Sequence, residues 1–546
     1  MIKRRTLIYR FTYIALYLAY LHIETYCKIL LSKIQHTYLN PMALSTQEKF
    51  FYLQIPKPPK TRKTHQSKKL VLMDEFLVPQ WVLVNSILAQ SISESSGSSI
   101  ATFGFNPRSN FSNSLFKSFS ANMHFTIQIK LTSFLQILGD VFNLVCMVKV
   151  NDQLKSLEIR NVRVGLDIYE TILRTGTPTV QVGSQRFLRS ATQGIVALNF
   201  YEWLIKTKGL SAVLLSHDSY IGIGLLGKVA HQHQVPVYHA NPYEIISTRG
   251  NFDIYKRFLD YPSYFESLSD YLKKELLFRA ENDLNRRLSG EVGIGLPHQT
   301  MSAFSNSGDY VFRSKDNRKA LIATHCFFDN PHGYGEMIFA DFWEWLNFLA
   351  ENTKDSSLEW FIKPHRDYLP GTLETLEKLI TKYPHLKILP SDTSFQYLKL
   401  NNFEVAFTCY GSIGHELPNL GIAVVNCAYN PHIAYNFNTH CTSKLEILTI
   451  LNELEESRIE IDPEGIYQFY AVHNYLMRPD DFFFPSMQKY QDDVKDPLNF
   501  DLCNKFIKSN WNKTADRFKV VIDEYLAQPE LNSTVYFLTS GKIPHD

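Results

Sequence analysis

The chain reads as an α/β protein built from two doubly wound domains and a helical C-terminal tail. Three observations predict it. From Lys69 onward, short apolar runs alternate with helical stretches, the signature of β-α-β units and parallel sheets. The alternation breaks off in a Gly- and Ser-rich stretch, SGEVGIGLPHQTMSAFSNSGDY (289–310), and restarts at residue 319. Finally, the 546 residues are 45% apolar with only 24 Gly and 24 Pro, too few breakers for collagen or low-complexity disorder and enough apolar surface for large cores. Length alone allows three to four domains of ~150 residues, or two large α/β domains with peripheral helices.

In chain order, KLVLMD (69–74) is a buried strand, VPQWVLVNSILAQSISESS a helix and SSIATFGFN the next strand. SAVLLSH (211–217), IGIGLLGKVAHQHQ and VPVYHAN (235–241) repeat the unit, and the charged stretch 257–288 is helical. The interdomain crossing is expected within 289–310, giving a first domain over 69–300 and a second over 301–480. The second begins with KALIATHCFFD (319–329), the helix FADFWEWLNFLAENT, the strand LEWFIKPH (358–365), the helix TLETLEKLITKY and the strand LKILPSD (386–392). It continues with the short helix SFQYLKL, the strand VAFTCYG (405–411), a helix across HELPNLG and the strand IAVVNCA (422–428). From about Ser443 the pattern is helical, most clearly in TSKLEILTILNELEE and NKFIKSNWNKTADRFKVVIDEYLA, and 481–546 forms the tail.

With 56 Lys+Arg against 54 Asp+Glu, a formal charge of +2, the signs are interleaved and no basic stripe marks a nucleic-acid partner. Seven widely spaced cysteines without a C-x-x-C pair read as reduced thiols of a cytoplasmic protein, neither a disulfide framework nor a zinc site. Residues 1–68 are a basic and apolar extension. Lys3, Arg4, Arg5 and Arg10 precede an apolar aromatic run from Phe11 to Ile23, which falls short of the ~20 residues that span a bilayer and suits an interfacial helix. A peripheral contact with the inner face of the plasma membrane is therefore expected, against a second reading in which the protein starts at Met42. Lys57 to Lys69 is a basic linker.

Open parallel sheets bind ligands beyond the carboxyl ends of their strands, which directs attention to the loops there. In FTCYGSIGHELPNLGIAVVN (407–426) a buried strand delivers Gly411, Ser412 and Gly414 to a helix start. Free backbone N–H groups, the Ser412 hydroxyl and the helix N-terminus suit a phosphate, and Glu416 is placed for a ribose diol; an ordinary strand-turn-helix packed through its glycines is the alternative. In WFIKPHRD (360–367), Lys363, His365 and Arg366 gather at a strand end, as a diphosphate would want, or as any solvated loop would. THCFFDNPHGYGE (324–336) offers a Gly-containing loop whose His325, Cys326, Asp329 and His332 match no zinc spacing, so no metal is expected. In the first domain Asp74 and Glu75, and His217 and Asp218 farther on, end strands where a general base is needed, or where a cap would serve.

Two Rossmann-like halves, the KPH strand end, YGSIGHELPNLGIAVVN and a helix-rich tail together resemble bacterial capsule and surface-polysaccharide glycosyltransferases of the GT-B type. RNVRVGLDIYETILR (160–174) resembles a segment such proteins carry in the first half, and the likeness covers roughly residues 70–480. The resemblance implies two domains facing across a cleft, with a nucleotide sugar on the second and an oligosaccharide or lipid-linked glycan acceptor on the first. It implies donor phosphate at Gly411 and Ser412, ribose at Glu416, the anionic part of the donor at Lys363 and His365, and base or phosphate near Asp392 and Ser394. His217 or Asp218 would be the base, with Asp74 and Glu75 behind, and no cofactor or divalent metal is implied. Arg366 stands where such proteins often carry a second proline. A glycerophosphotransferase- or epimerase-like enzyme on the same fold, and a non-catalytic glycan- or nucleotide-binding subunit, are the competing readings.

Overall fold

The computed structural model describes residues 2–38, 69–76, 79–108, 110–240, 245–248, 258–292, 294, 302–304, 310–335, 337–365, 368–462, 464–476, 516 and 536–537. The first sheet contains β1 (Leu70–Asp74), β2 (Ser99–Gly104) and β3 (Ala121–Thr126), then, beyond the small hairpin β4 (Glu158–Ile159) and β5 (Val162–Arg163), β6 (Leu210–Leu215), β7 (Val237–Ala240) and β8 (Ile245–Thr248). Its order is β15-β8-β7-β6-β1-β2-β3, where β15 is Tyr536–Phe537; β3 through β7 pair in parallel and the β8 edge is antiparallel. The second sheet, β9 (Lys319–Ala323), β10 (Glu359–Lys363), β11 (Lys387–Ile388), β12 (Phe403–Thr408), β13 (Ala423–Asn426) and β14 (Thr439–His440), runs β11-β10-β9-β12-β13-β14 and is parallel throughout. All five residues of β1 and of β9 are buried, four of each five apolar with Asp74 and Lys319 at the ends, as central strands of a covered parallel sheet must be.

Four helices share one core with strands of the first sheet: α1 (Ile2–Tyr38), α2 (Phe134–Met147), α3 (Gly165–Leu173) and α4 (Gln185–Lys208). Ser184 caps α4 by accepting from the Phe187 N–H, and Gly209, at φ 65°, ends it. Leu188, Ile195, Leu198 and Tyr201 of α4 are at most 1% exposed and share one core with Ile14 and Leu18 of α1. The sequence reading measured α1 from Phe11 to Ile23. The helix instead carries an apolar stretch over Ile8–Leu31, 24 residues and long enough by length and composition to cross a membrane, because the aromatic run continues past Ile23.

The crossing between domains also differs from expectation. Helix α5 (Asp270–Leu288) and the short helix Tyr261–Glu266 before it, expected in the first domain, bury Tyr261, Phe265, Ala280 and Leu284 in the core that holds Leu321, Phe361 and Val424 of the second sheet. The first domain therefore gives way before Phe258. The segment α7 (Glu464–Ala471), which follows α6 (Ile413–Asn419) in the second domain, packs Phe469 and Tyr470 into the same core, and Tyr475 donates to Asp283 at 2.7 Å. The expected strand LKILPSD shrinks to Lys387–Ile388, since Pro390 cannot extend a ladder. Apart from Asp516, which is helical, the expected tail helix NKFIKSNWNKTADRFKVVIDEYLA lies outside the described residues.

One ion pair ties α5 to the second sheet. Arg287 Nε donates to Glu416 Oε1 at 2.5 Å, the side chains 3% and 1% exposed, and Arg287 also donates to the Ile294 carbonyl at 2.9 Å. Removing one partner strands a buried charge. Glu416→Ala is expected to cost about 3–5 kcal/mol, read as a lower midpoint in denaturant, and Arg287→Met combined with Glu416→Leu should recover most of the loss.

Candidate functional site in the interdomain cleft

Numbering strands within each sheet, both run 3-2-1-4-5 from one edge, so strand order reverses beside the central strand, between β1 and β6 and between β9 and β12. Crevices open at the carboxyl ends of such switch points. At the first stand Asp74 and Glu75 on one side and Ser216, His217 and Asp218 on the other, four of them expected from sequence. Asp74, 4% exposed, accepts through Oδ2 from the Ser216 N–H at 2.7 Å and the Ser216 hydroxyl at 2.6 Å. Ser216 Oγ is 2.9 Å from His217 Nδ1, and Phe76 braces the imidazole edge-on at 4.8 Å. A serine hydroxyl has one proton; spent on Asp74, it must accept from His217 Nδ1–H, which leaves Nε2 as the acceptor. Burial raises the Asp74 pKa above the ordinary carboxylate range, and the Ser216 hydrogen bonds oppose that rise.

Glu75 is differently placed. Burial would raise its pKa, but hydrogen bonds from His124, Thr102 and Arg108 hold it below its ordinary value; Arg108 Nε donates at 2.6 Å and Thr102 Oγ1 at 2.5 Å. A carboxylate engaged in this way is a structural anion with little basicity to offer. Asp74, Glu75, Phe105, Arg174, Gln193 and Tyr220 line a cavity of about 530 Å³. Tyr220 has φ 73°, strained for an aromatic residue, and the chain passes there through a π-helical turn (Tyr220–Gly224) where a plain helix was expected.

At the second switch point His325 follows β9 and the turn 408–412 follows β12. His325 Nε2 lies 3.1 Å from Thr408 Oγ1, its ring rests against Tyr410 at 4.2 Å, and burial drives its pKa down to about 3, so it is neutral at pH 7. Gly411, with φ 114°, brings the backbone against that ring: a Cβ there would meet His325 Cε1 at 3.4 Å. Ser412 is half-exposed at the start of α6, and His365 is exposed and close enough to His325 to depress its pKa further.

Other residues expected at the donor site have different surroundings. Lys363, 6% exposed, donates to the Ser391 carbonyl at 2.8 Å and sits over Phe395. Ser394 is buried and donates to the Phe304 carbonyl at 2.9 Å, and Asp392 is half-exposed near it in sequence. Gly414 is a packing glycine: a Cβ would come within 2.5 Å of His432, and its N–H already bonds the Gly411 carbonyl. Glu416, read as a ribose ligand, is the buried partner of Arg287. Arg366 lies outside the described residues.

The loop after β9 crosses to the first domain. Asp329 accepts from Arg174 at 2.8 Å and from the Tyr220 hydroxyl at 3.0 Å, Asn330 donates to Ser219, and His332 Nδ1 is 3.3 Å from Glu170. Behind them Tyr169 donates to Asp341, and Lys155 donates to the Phe339 carbonyl at 3.0 Å. Asp167 is fully buried and takes Lys228 at 2.6 Å. Burial outweighs that partner and moves the Asp167 pKa up to about 7; burial, with Asp218 and Asp329 nearby, moves Glu170 to about 8. Sequence reasoning quoted this helix as a resemblance and did not single out Asp167, Glu170 or Arg174. The signal was two carboxylates spaced i, i+3 within an apolar helix, hence on one face and under cover.

No family model and no curated protein matches the chain. Solved structures do. A Thermosulfurimonas dismutans KpsC, a beta Kdo 2,4 transferase, is 14% identical over 55% of this chain and 88% of its own, with a TM-score of 0.29. A Methanocaldococcus jannaschii UDP-GlcNAc 2-epimerase in complex with UDP-GlcNAc and UDP is 10% identical over 74% and 97%, TM-score 0.25. The Anabaena protein Alr3699/HepE in complex with UDP and glucose is 12% identical over 82% and 99%, TM-score 0.22. At TM-scores this low the likenesses carry no functional argument.

The carboxylates at the domain junction set a pH dependence. The folded values of about 8 for Glu170 and about 7 for Asp167 exceed the ordinary 4.5 and 3.8, so the folded chain binds these protons more tightly than the unfolded one. Their contribution is whole below the ordinary carboxylate range and is lost as pH rises through the folded values. The melting temperature should fall between about pH 5 and about pH 9, and Glu170→Gln should flatten the upper part of that slope.

Proposed function

We propose that the protein transfers a sugar from a nucleotide-activated donor to a hydroxyl of a surface or capsular polysaccharide acceptor, in the cleft between its two domains and without a catalytic metal. The observation that carries this reading is the Asp74–Ser216–His217 hydrogen-bond chain at the first switch point, beside a cavity and opposite the second domain's own switch point. The chain fixes His217 with its proton on Nδ1, so Nε2 is the base. As the acceptor oxygen attacks the anomeric carbon its proton passes to Nε2, a new C–O bond forms, and the bond from that carbon to the nucleotide phosphate breaks. The charge that develops on the leaving phosphate calls for fixed donors. The Ser412 hydroxyl with the Gly411 turn, and His365 when protonated, are the groups of the second domain that meet it. Asp218 stands beside the base, and Glu75 with Arg108 keeps the cavity wall in shape.

The test is thermal unfolding with CMP, CDP, UDP, GDP and TDP, followed by nucleotide release from the matching sugar nucleotides. A nucleotide at ~100 times its dissociation constant stabilises by ~2.7 kcal/mol, and Ser412→Ala with His365→Ala should abolish that shift while leaving the ligand-free midpoint in place. With a glycan acceptor present, His217→Ala should slow nucleotide release by about 10²–10⁴-fold at unchanged nucleotide affinity. Ser216→Ala should cost less and move the acidic limb of the pH–rate profile. Nucleotide release at full rate without any acceptor would contradict the reading, and so would an absence of stabilisation by every nucleotide.

A further inference from the structure

Helix α1 is apolar on two opposite sides over Ile8–Leu31, and one of them meets protein. Ile14 and Leu18 are fully buried between α2 and α4, Arg189 donates to the Tyr13 hydroxyl at 2.8 Å, and Gln193 to that of Tyr17 at 3.0 Å. At 100° per residue, Ile8, Leu16, Tyr20, Ile23 and Leu31 fall on the opposite arc, and each is more than half exposed, from 56% for Tyr20 and Leu31 to 67% for Leu16. Between Ile8 and Leu31 the only charged residues are Arg10, Glu24 and Lys28, all on the flank between the two arcs, where Lys28 pairs with Glu24 at 3.0 Å. Phe11 packs edge-on against Phe142 of α2 at 5.4 Å, and Leu131, just before α2, and Leu135, in its first turn, are 73% and 80% exposed.

We propose that this face is a docking surface for an anionic lipid bilayer, on which α1 lies flat and which it does not cross. An uncharged apolar arc about 36 Å long, at 1.5 Å per residue, exceeds the scattered hydrophobic surface of a soluble monomer. The sequence sets Lys3, Arg4 and Arg5 at one end of it, the charge that acidic headgroups attract. Tyr9, Tyr20 and Tyr26 stand exposed on the arc, and tyrosine rings favour the boundary between headgroup and acyl chain. Length alone would let α1 span. Its seating forbids that, because Ile14 and Leu18 occupy the core of the first domain, and a spanning α1 would have to pull them out. The inference is independent of the reaction assigned to the cleft.

The test is flotation of the full chain with vesicles of phosphatidylcholine and phosphatidylglycerol, and with phosphatidylcholine alone. The protein should float with the mixed vesicles and come off in alkaline carbonate. Leu16→Glu with Ile23→Glu, both solvent-facing, should leave the melting temperature unchanged and abolish flotation. Lys3→Gln, Arg4→Gln and Arg5→Gln together should weaken binding to the mixed vesicles by about a hundredfold, at about 1 kcal/mol per charge, and leave binding to neutral vesicles unaltered. Failure to float overturns the proposal, whether a second copy or another segment of the chain covers the face. Resistance to carbonate overturns it as well, since that is the behaviour of a span.

Discussion

Parallel pairing on both sides of a central strand is the constraint from which the rest follows. Because β1 and β9 each have a parallel neighbour on either side, and the chain winds one way from each and then the other, both sheets leave a crevice at the same end of the same kind of strand. The loops after β1 and β6 and those after β9 and β12 then hold the groups of the cleft, whatever those loops are made of. Side chains within the strands are committed to the two faces of each sheet, which are core. Only residues from a strand's last position to four beyond it are free to do chemistry, and Asp74, Ser216, His217, His325 and Ser412 are such residues.

The molecule manages its buried charge in three ways, and the differences decide what each group can do. Arg287 and Glu416 neutralise each other at contact distance, an arrangement that fixes α5 on the second sheet and leaves neither group available to a ligand. Glu170 and Asp167 cannot both be satisfied by Lys228, so burial lifts their pKa values toward neutrality and the domain junction becomes sensitive to alkali. Asp74 takes a third course, its Oδ2 held by two hydrogen bonds from Ser216 that oppose the effect of burial. That passes an orientation to His217 through Ser216, while the imidazole stays half-exposed.

Most of the fold was legible because buried parallel strands announce themselves: KLVLMD, KALIA and VAFT are apolar runs of strand length bounded by polar loops. The crossing between domains was not, because α5 is charged on its outer side and reads as a helix of the first domain that precedes the Gly- and Ser-rich stretch, whereas its assignment rests on Ala280 and Leu284 meeting residues far away in sequence. The candidate site was half legible. Strand-end residues such as Asp74 and His217 could be named from topology alone. What Glu416 and Lys363 touch could not, since Arg287 lies 129 residues from Glu416 and the carbonyl of Ser391 carries no side-chain signature. Ser216, the middle of the hydrogen-bond chain, passed unnoticed between two more conspicuous residues.

Left-handed backbone occurs beside both switch points. Gly411 adopts φ 114°, which no residue with a Cβ holds cheaply, and thereby lets the turn after β12 lie against His325. Tyr220 adopts φ 73° although it has a large side chain, and Gly224 follows where a Cβ would come within 2.3 Å of the Asp218 carbonyl. A bulky residue keeps such a conformation only when its surroundings over-determine it. Here they do: the Tyr220 hydroxyl reaches Asp329 across the cleft, and the next N–H, that of Ile221, is held by Thr171 Oγ1 at 3.1 Å. The strained turn therefore joins the loop that carries His217 and Asp218 to the loop that follows His325. Relaxing it would break the Tyr220–Asp329 contact between the two loops, which ties the cost of that strain to the junction of the two switch points.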